Sequence, residues 1–188
     1  FLSVPREKFV PDGKREAAYI GENFKISQSR VILEPRTLAK LLDALDIRND
    51  ELVLDIGPGL GYSSAVISPM AEVVIAVEDD SSMANEAEEI LTEVGADNVV
   101  IQIGKLEDGA PEHGPYDVII LQGGVEKIPS SILKQLKNGG RVGAIFVEEG
   151  LGTAKIGFKL NDKINWRYSF NAAAPVLPGF FKQKDFVL

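Results

Sequence analysis

The stretch "LVLDIGPGLGY", Leu52 to Tyr62, decides how the rest of the sequence is read. An apolar run of strand length ends in Asp55. Gly57, Gly59 and Gly61 then alternate, and a segment of helical composition opens at Tyr62. Glycine lets the backbone turn tightly and approach a ligand without interference from a Cβ. The helix that follows offers free N–H groups and the positive end of its dipole. Strand, glycine loop and helix in that order start a parallel βαβ unit, and the loop suits a ligand with an anionic or carboxylate group.

The same rhythm runs outward. Leu38, Leu41, Leu42 and Leu45 lie one helical turn apart, so an amphipathic helix is predicted over Thr37–Leu45, with Pro35 in its first turn. Strands are predicted at Leu52–Ile56, Val73–Val77, Val99–Ile103, Tyr116–Leu121 and Arg141–Val147. Helices fall between them at Tyr62–Met70, Ser81–Val94 and Pro129–Leu136. Near-continuous apolar strands alternating with helices predict a doubly wound, mostly parallel α/β sheet with helices on both faces. Thr153–Leu160 and Ile164–Phe170 flank Asn161-Asp162-Lys163, which predicts a closing antiparallel hairpin. No repeat or linker interrupts the 188 residues, so one domain over 1–188 is expected. The chain opens on Phe1 rather than methionine, which leaves open a missing N-terminal segment.

Bulk composition removes several classes of function. The net charge is -8, with no basic footprint for duplex nucleic acid. No apolar run approaches the roughly 20 residues that span a bilayer. Cysteine is absent, which excludes disulfides, thiolate nucleophiles and Cys-based metal sites and is compatible with a cytoplasmic protein. Glu86, Glu88 and Glu89 read as a solvated helix face, so no metal is expected. His113, the only histidine, reads as a solvated loop residue.

Two cofactor classes compete for the glycine loop. A dinucleotide fingerprint spaces its glycines G-x-G-x-x-G, and here the third glycine comes one position early. Two apolar residues, an acid, and then three alternating glycines resemble the first motif of class I S-adenosylmethionine-dependent methyltransferases. Glu78 ends the second strand (VVIAVE), at the sheet edge where a carboxylate can accept hydrogen bonds from ribose hydroxyls.

"VPREKFVP" (Val4–Pro11), together with "LDIGPGLGY" and "GPYDVIIL…LKNGGRV", resembles the protein-L-isoaspartate O-methyltransferase family from about Phe1 to Val147. The resemblance implies a Rossmann-like methyltransferase of protein repair. Such an enzyme moves the methyl of S-adenosyl-L-methionine to the carboxylate of an isoaspartyl residue. It carries cofactor binding over to Asp55, Gly57, Gly59, Gly61, Glu78, Leu106 and Gln122. The substrate segment falls on Leu33, Glu34 and Pro35, because Pro35 stands twenty residues before Asp55, as the family's proline does before its acid. "ISQ", Ile26–Gln28, looks like that segment but lies seven residues too early.

Two positions depart from the family pattern. Leu33 takes the place of its serine and has no hydroxyl, so no catalytic residue is assigned and weak activity on isoaspartyl peptides is expected. After the third strand, Gly104-Lys105-Leu106 replaces Gly-Asp-Gly, and lysine cannot accept a hydrogen bond from an adenine amine. Glu107 or Asp108 stands in only if the loop bends. Two other readings share the fold: a methyltransferase for a small-molecule acceptor, and a catalytically silent binding or regulatory module. "NAAAPVLPGF", Asn171–Phe180, reads either as a loop over the substrate site or as a proline-fixed connection.

Overall fold

The computed structural model describes residues 1–11 and 13–182. Seven strands form one sheet in the order β5-β4-β3-β6-β7-β8-β9. Its parallel part is β3 (Leu52–Ile56), β4 (Val73–Glu78), β5 (Val99–Ile103), β6 (Tyr116–Val125) and β7 (Leu136–Glu148). The antiparallel part is β8 (Leu151–Leu160) and β9 (Lys163–Asn171), added beside β7. The β8–β9 turn puts Asn161 and Asp162 at φ 49° and 59°, in the left-handed region that a two-residue hairpin requires and that Asn and Asp tolerate.

Winding reverses at β3, which pairs in parallel with β4 on one side and β6 on the other. Ligands of such sheets bind outside the carboxyl ends of the strands at this reversal. Gly57–Gly61 leave the sheet at that point.

Helices cover the two faces unequally. On one face α1 (Pro35–Leu45), α2 (Tyr62–Ile67) and α3 (Ser81–Glu93) pack their apolar stripes on Val53, Val74, Val118 and Ile120. On the other, α4 spans only Ser130–Lys134, and buried loop residues Leu106, Ala110, Leu177 and Phe180 complete the cover. Helices therefore lie on both faces, as expected, and loops complete the second, where Glu107–Gly114 folds as turns anchored on Gln135.

Two strands run longer than the sequence predicts. β7 starts five residues before Arg141, at Leu136, and β6 continues through Gln122-Gly123-Gly124 to Val125. Glycines carry no strand signal. They pair here because Gly124 donates to Pro175 O (2.7 Å) and accepts from Leu177 N (2.9 Å). A two-stranded antiparallel unit, β1 (Phe24–Lys25) with β2 (Val31–Ile32), stands apart from the main sheet and precedes α1.

Candidate functional site

Gly57, Gly59 and Gly61 have φ of 76°, 62° and 91°, a region closed to most residues with a Cβ. Gly57 N donates to Val77 O (2.9 Å), which draws the loop back over the end of β4. Gly59 N donates to Glu78 Oε2 at 2.8 Å. The two elements singled out in the sequence, glycine loop and second acid, are thus in direct contact and form one cradle.

Asp55 is fully buried below the loop. Its Oδ2 accepts from Ser63 Oγ (2.6 Å) and Ser64 Oγ (2.7 Å), both in the first turn of α2, and its Oδ1 accepts from Gln122 Nε2 (2.7 Å). Burial pushes this carboxyl up, and the three donors oppose the shift. Asp55 therefore fixes the cradle's geometry by tying α2 and β6 to β3.

The upper side of the cradle is covered by the chain itself. β1 and β2 present a loop, Ile26–Arg30, closed by Ile26 N and Ser27 N donating to Arg30 O (3.1 and 3.2 Å). Arg30 Nη1 and Nη2 donate to Glu78 Oε1 (2.8 Å) and Oε2 (2.6 Å), and Nη1 also reaches Asp79 Oδ1 (2.6 Å). The Arg30 and Glu78 side chains are 4% and 0% exposed. Burial pushes the Glu78 carboxyl up, against the Arg30 fork that holds it charged. A Cβ placed on Gly57 would lie 3.0 Å from Arg30 Nη2, and one on Gly59 would lie 2.5 Å from Ile26 Cδ1. Ile26, the first residue of the "ISQ" segment, thus sits directly on the glycine loop, while Gln28 is exposed.

The segment expected to face the substrate begins α1. Pro35 is its first residue, Glu34 precedes it with N–H donating to Asn23 Oδ1 (2.8 Å), and Leu33 is 1% exposed. Leu33 lines a cavity of about 10 Å³ with Leu38, Pro58, Tyr62, Ser63 and Gln122. Substrate and cofactor candidates therefore meet at one point. Ligand pockets usually hold about 300–1,000 Å³, so this cavity is closed to a small molecule as it stands. Arg6, from the "VPRE" motif, stacks over Tyr62 at 4.5 Å and donates to Leu33 O (2.9 Å) and Ala18 O (2.8 Å).

Leu106 is fully buried, 3.5 Å from where a Cβ on Gly57 would stand. Lys105 is exposed, and Glu107 turns toward Gly179 on the second face. Asn171–Phe180 crosses the end of β6: Leu177 packs on Gly123, and Asn23 Nδ2 donates to Ala173 O (2.6 Å). His113 is exposed, as are Glu86, Glu88 and Glu89. Among the described residues no helix is long and apolar enough to cross a membrane.

Sequence reasoning missed Arg30, Ser63, Ser64 and Arg6. The serines carried a signal, since hydroxyls in the first turn after a glycine loop face the strand that precedes it. Arg30 carried none. The acceptors themselves fit a ligand bearing two adjacent hydroxyls beside a backbone loop, but the room for it is held by Ile26 and Arg30.

The family model described as Protein-L-isoaspartate(D-aspartate) O-methyltransferase matches residues 1–167. The protein-L-isoaspartate O-methyltransferase of Syntrophus aciditrophicus is 37% identical over 139 residues, 74% of this chain and 64% of that protein. Protein-L-isoaspartate O-methyltransferase 2 of Pelobacter propionicus is 38% identical over 139 residues, 74% of this chain and 62% of that one. The chain thus spans about three fifths of the length of these curated relatives. A solved protein-L-isoaspartate O-methyltransferase superposes with a TM-score of 0.84 at 25% identity, over 95% of this chain and 59% of that one. A Plasmodium falciparum structure in complex with S-adenosyl-L-homocysteine superposes at 0.78 with 20% identity, over 94% of this chain and 87% of that one, and shares the fold.

Proposed function

We propose, because this chain belongs to the protein-L-isoaspartate O-methyltransferase family, that it is an S-adenosyl-L-methionine-dependent methyltransferase acting on the carboxylate of isoaspartyl residues in damaged proteins. The observation that supports the reading is the contact of Glu78 with Gly59 N at 2.8 Å, which joins the acid expected to take the ribose to the glycine loop. In this reading the chain is a single cytoplasmic domain.

Each residue then has a physical task. Glu78 accepts from the ribose hydroxyls. Gly57, Gly59 and Gly61 leave room for the ligand against their backbone. Leu106 provides an apolar wall, and Asp55 holds Ser63, Ser64 and Gln122 so that the loop keeps its shape. When bound, S-adenosyl-L-methionine supplies a sulfonium methyl. An acceptor carboxylate is already ionised near neutral pH, so no residue of this chain would need to act as a general base. Leu33, Tyr62 and Gln122 border the acceptor side and exclude water. The protein's contribution is alignment in a dry enclosure.

Calorimetric titration with S-adenosylhomocysteine, followed by methyl incorporation into an isoaspartyl peptide, tests this. Binding is expected to weaken in Glu78→Ala by about 1–3 kcal/mol, the scale of a lost hydrogen bond whose partner is left unsatisfied. Absence of binding in the wild type and in variants that loosen Ile26–Arg30 would overturn it. Leu33 favours a second reading, a silent binding module on the same fold; binding without turnover on any carboxylate acceptor supports that one.

A further inference from the structure

We infer that the loop Ile26–Arg30 is a latch that competes with S-adenosyl-L-methionine for Glu78, so that the cofactor enters only when Arg30 leaves. This rests on the cofactor reading given above.

The competition is one of hydrogen-bond capacity. A carboxylate offers about four lone-pair sites. Glu78 Oε1 accepts from Arg30 Nη1 (2.8 Å), Asp79 N (3.0 Å) and Asp80 N (3.2 Å). Its Oε2 accepts from Arg30 Nη2 (2.6 Å) and Gly59 N (2.8 Å). With five donors present, no site remains for a sugar. The Arg30 fork presents two parallel N–H groups to the two oxygens, the same demand that the two hydroxyls of a ribose make. One carboxylate cannot serve both.

Space gives the same answer. The guanidinium stands over Gly57 and Ile26 over Gly59, so both faces that glycine leaves open are occupied. The nearest enclosed cavity, bounded by Pro58, Ser63, Gln122 and Leu33, holds about 10 Å³.

The latch is built to open. β1 and β2 contribute only two residues each, a pairing too short to be stable alone. Arg30 Nε is buried without a hydrogen-bond partner, so the closed state is incompletely satisfied. The outer side of the tip borders an open recess of about 240 Å³ lined by Ser27, Ser29, Asp79, Asp80, Met83 and Pro178. Asp79 matters most. Its side chain is 32% exposed, at the rim, and it already accepts from Arg30 at 2.6 Å. When Glu78 is taken by a ligand, Arg30 retains a carboxylate partner nearer to water, so release does not strand a bare charge.

The apparent affinity of a ligand falls by the fraction of protein in the competent state. Calorimetric titration with S-adenosylhomocysteine is therefore run on wild type, Arg30→Ala and Ile26→Ala, with thermal unfolding to confirm that each is folded. Ile26→Ala removes the side chain that seats the loop on Gly59 and so weakens the closed state that holds Arg30 on Glu78; it carries the test if Arg30→Ala does not fold, and affinity equal to wild type in it then overturns the latch. The expected result is binding at least about tenfold tighter in each folded variant than in wild type. Equal affinity in wild type and a folded Arg30→Ala overturns the latch and leaves the cofactor reading in place. No binding by any of the three at millimolar ligand overturns the cofactor reading and the latch with it.

Discussion

Arg141 and Glu51 lock the end of one helix to the middle of the sheet. Arg141 Nη1 and Nη2 donate to Glu51 Oε1 (2.6 Å) and Oε2 (2.7 Å), while its Nε and Nη2 also cap the carbonyls of Leu45 and Asp46 (both 2.7 Å), where α1 ends. The pair is 13% and 12% exposed, so water screens it little.

A pH dependence follows from this pair. The Arg141 fork holds the Glu51 carboxyl below the usual carboxylate range, which is about 4.3 for an unfolded glutamate. A depressed carboxyl contributes stability that is fully present above its unfolded pKa and is lost as pH falls through the folded one. Unfolding free energy should hold steady from neutral pH toward 5 and decline below about 4. Glu51→Gln should flatten that decline and cost about 2 kcal/mol at pH 7, the scale of a hydrogen bond to a charged group. Urea melts of both proteins at pH 3, 4, 5 and 7 check it; parallel curves at every pH would contradict the assignment.

The donors around Asp55 should not be equivalent. Gln122 alone serves Oδ1, whereas Ser63 and Ser64 share Oδ2. Gln122→Leu leaves one buried oxygen without a partner and should destabilise by about 1–3 kcal/mol. Ser63→Ala leaves Ser64 in place and should cost clearly less. Equal losses in thermal melts would mean that the hydroxyls and the amide do not divide the carboxylate in this way.

Leu33 supplies packing where a hydroxyl is expected from the family. Leu33→Ser should lower stability by about 2–5 kcal/mol, the range for truncating a buried leucine. Among the molecules that remain folded it should raise isoaspartyl-peptide methylation, by about tenfold for each 1.36 kcal/mol of transition-state contact recovered. Ser27→Ala should leave methylation nearly unchanged. Active-site titration with labelled S-adenosyl-L-methionine normalises the rates to folded protein. A folded Leu33→Ser with no gain would remove Leu33 from the acceptor side.

Much of the architecture was readable where local pattern and tertiary role agree. Leu52–Ile56 reads as a strand because four of its five residues are apolar and Val53 to Ile56 are buried, with Asp55 the one acid among them. α1 begins at Pro35, the proline expected in its first turn, because proline's missing N–H is no loss there. The hairpin turn at Asn161-Asp162 was legible because these residues tolerate positive φ. The cradle residues Gly59 and Glu78 were found by spacing and do touch.

The unread parts are those that distant residues decide. β6 passes through Gly123 and Gly124 because Gly124 pairs with Ile145 of β7 on one side and with Pro175 and Leu177, about fifty residues away, on the other. β1 and β2 are too short to leave a period-two pattern. Arg30 and Glu78 lie 48 positions apart, and nothing in the composition around Arg30 marks it as a partner for a buried acid. Substituting leucine for serine at Leu33 was visible as a letter. That the side chain is 1% exposed was not.

The bond from Asn23 to the carbonyl of Ala173 joins residues 150 positions apart. A ribosome adds roughly 5–20 residues per second, so this link cannot form until about 8–30 s after Asn23 has been made. For more than half of that interval the nascent chain can already hold β3, β4 and the glycine loop, which are complete 55 residues after Asn23, while the N-terminal hairpin lacks its C-terminal anchor. Synthesis therefore sets an order of events: the parallel strands come first, and the seam between the two ends of the chain comes last.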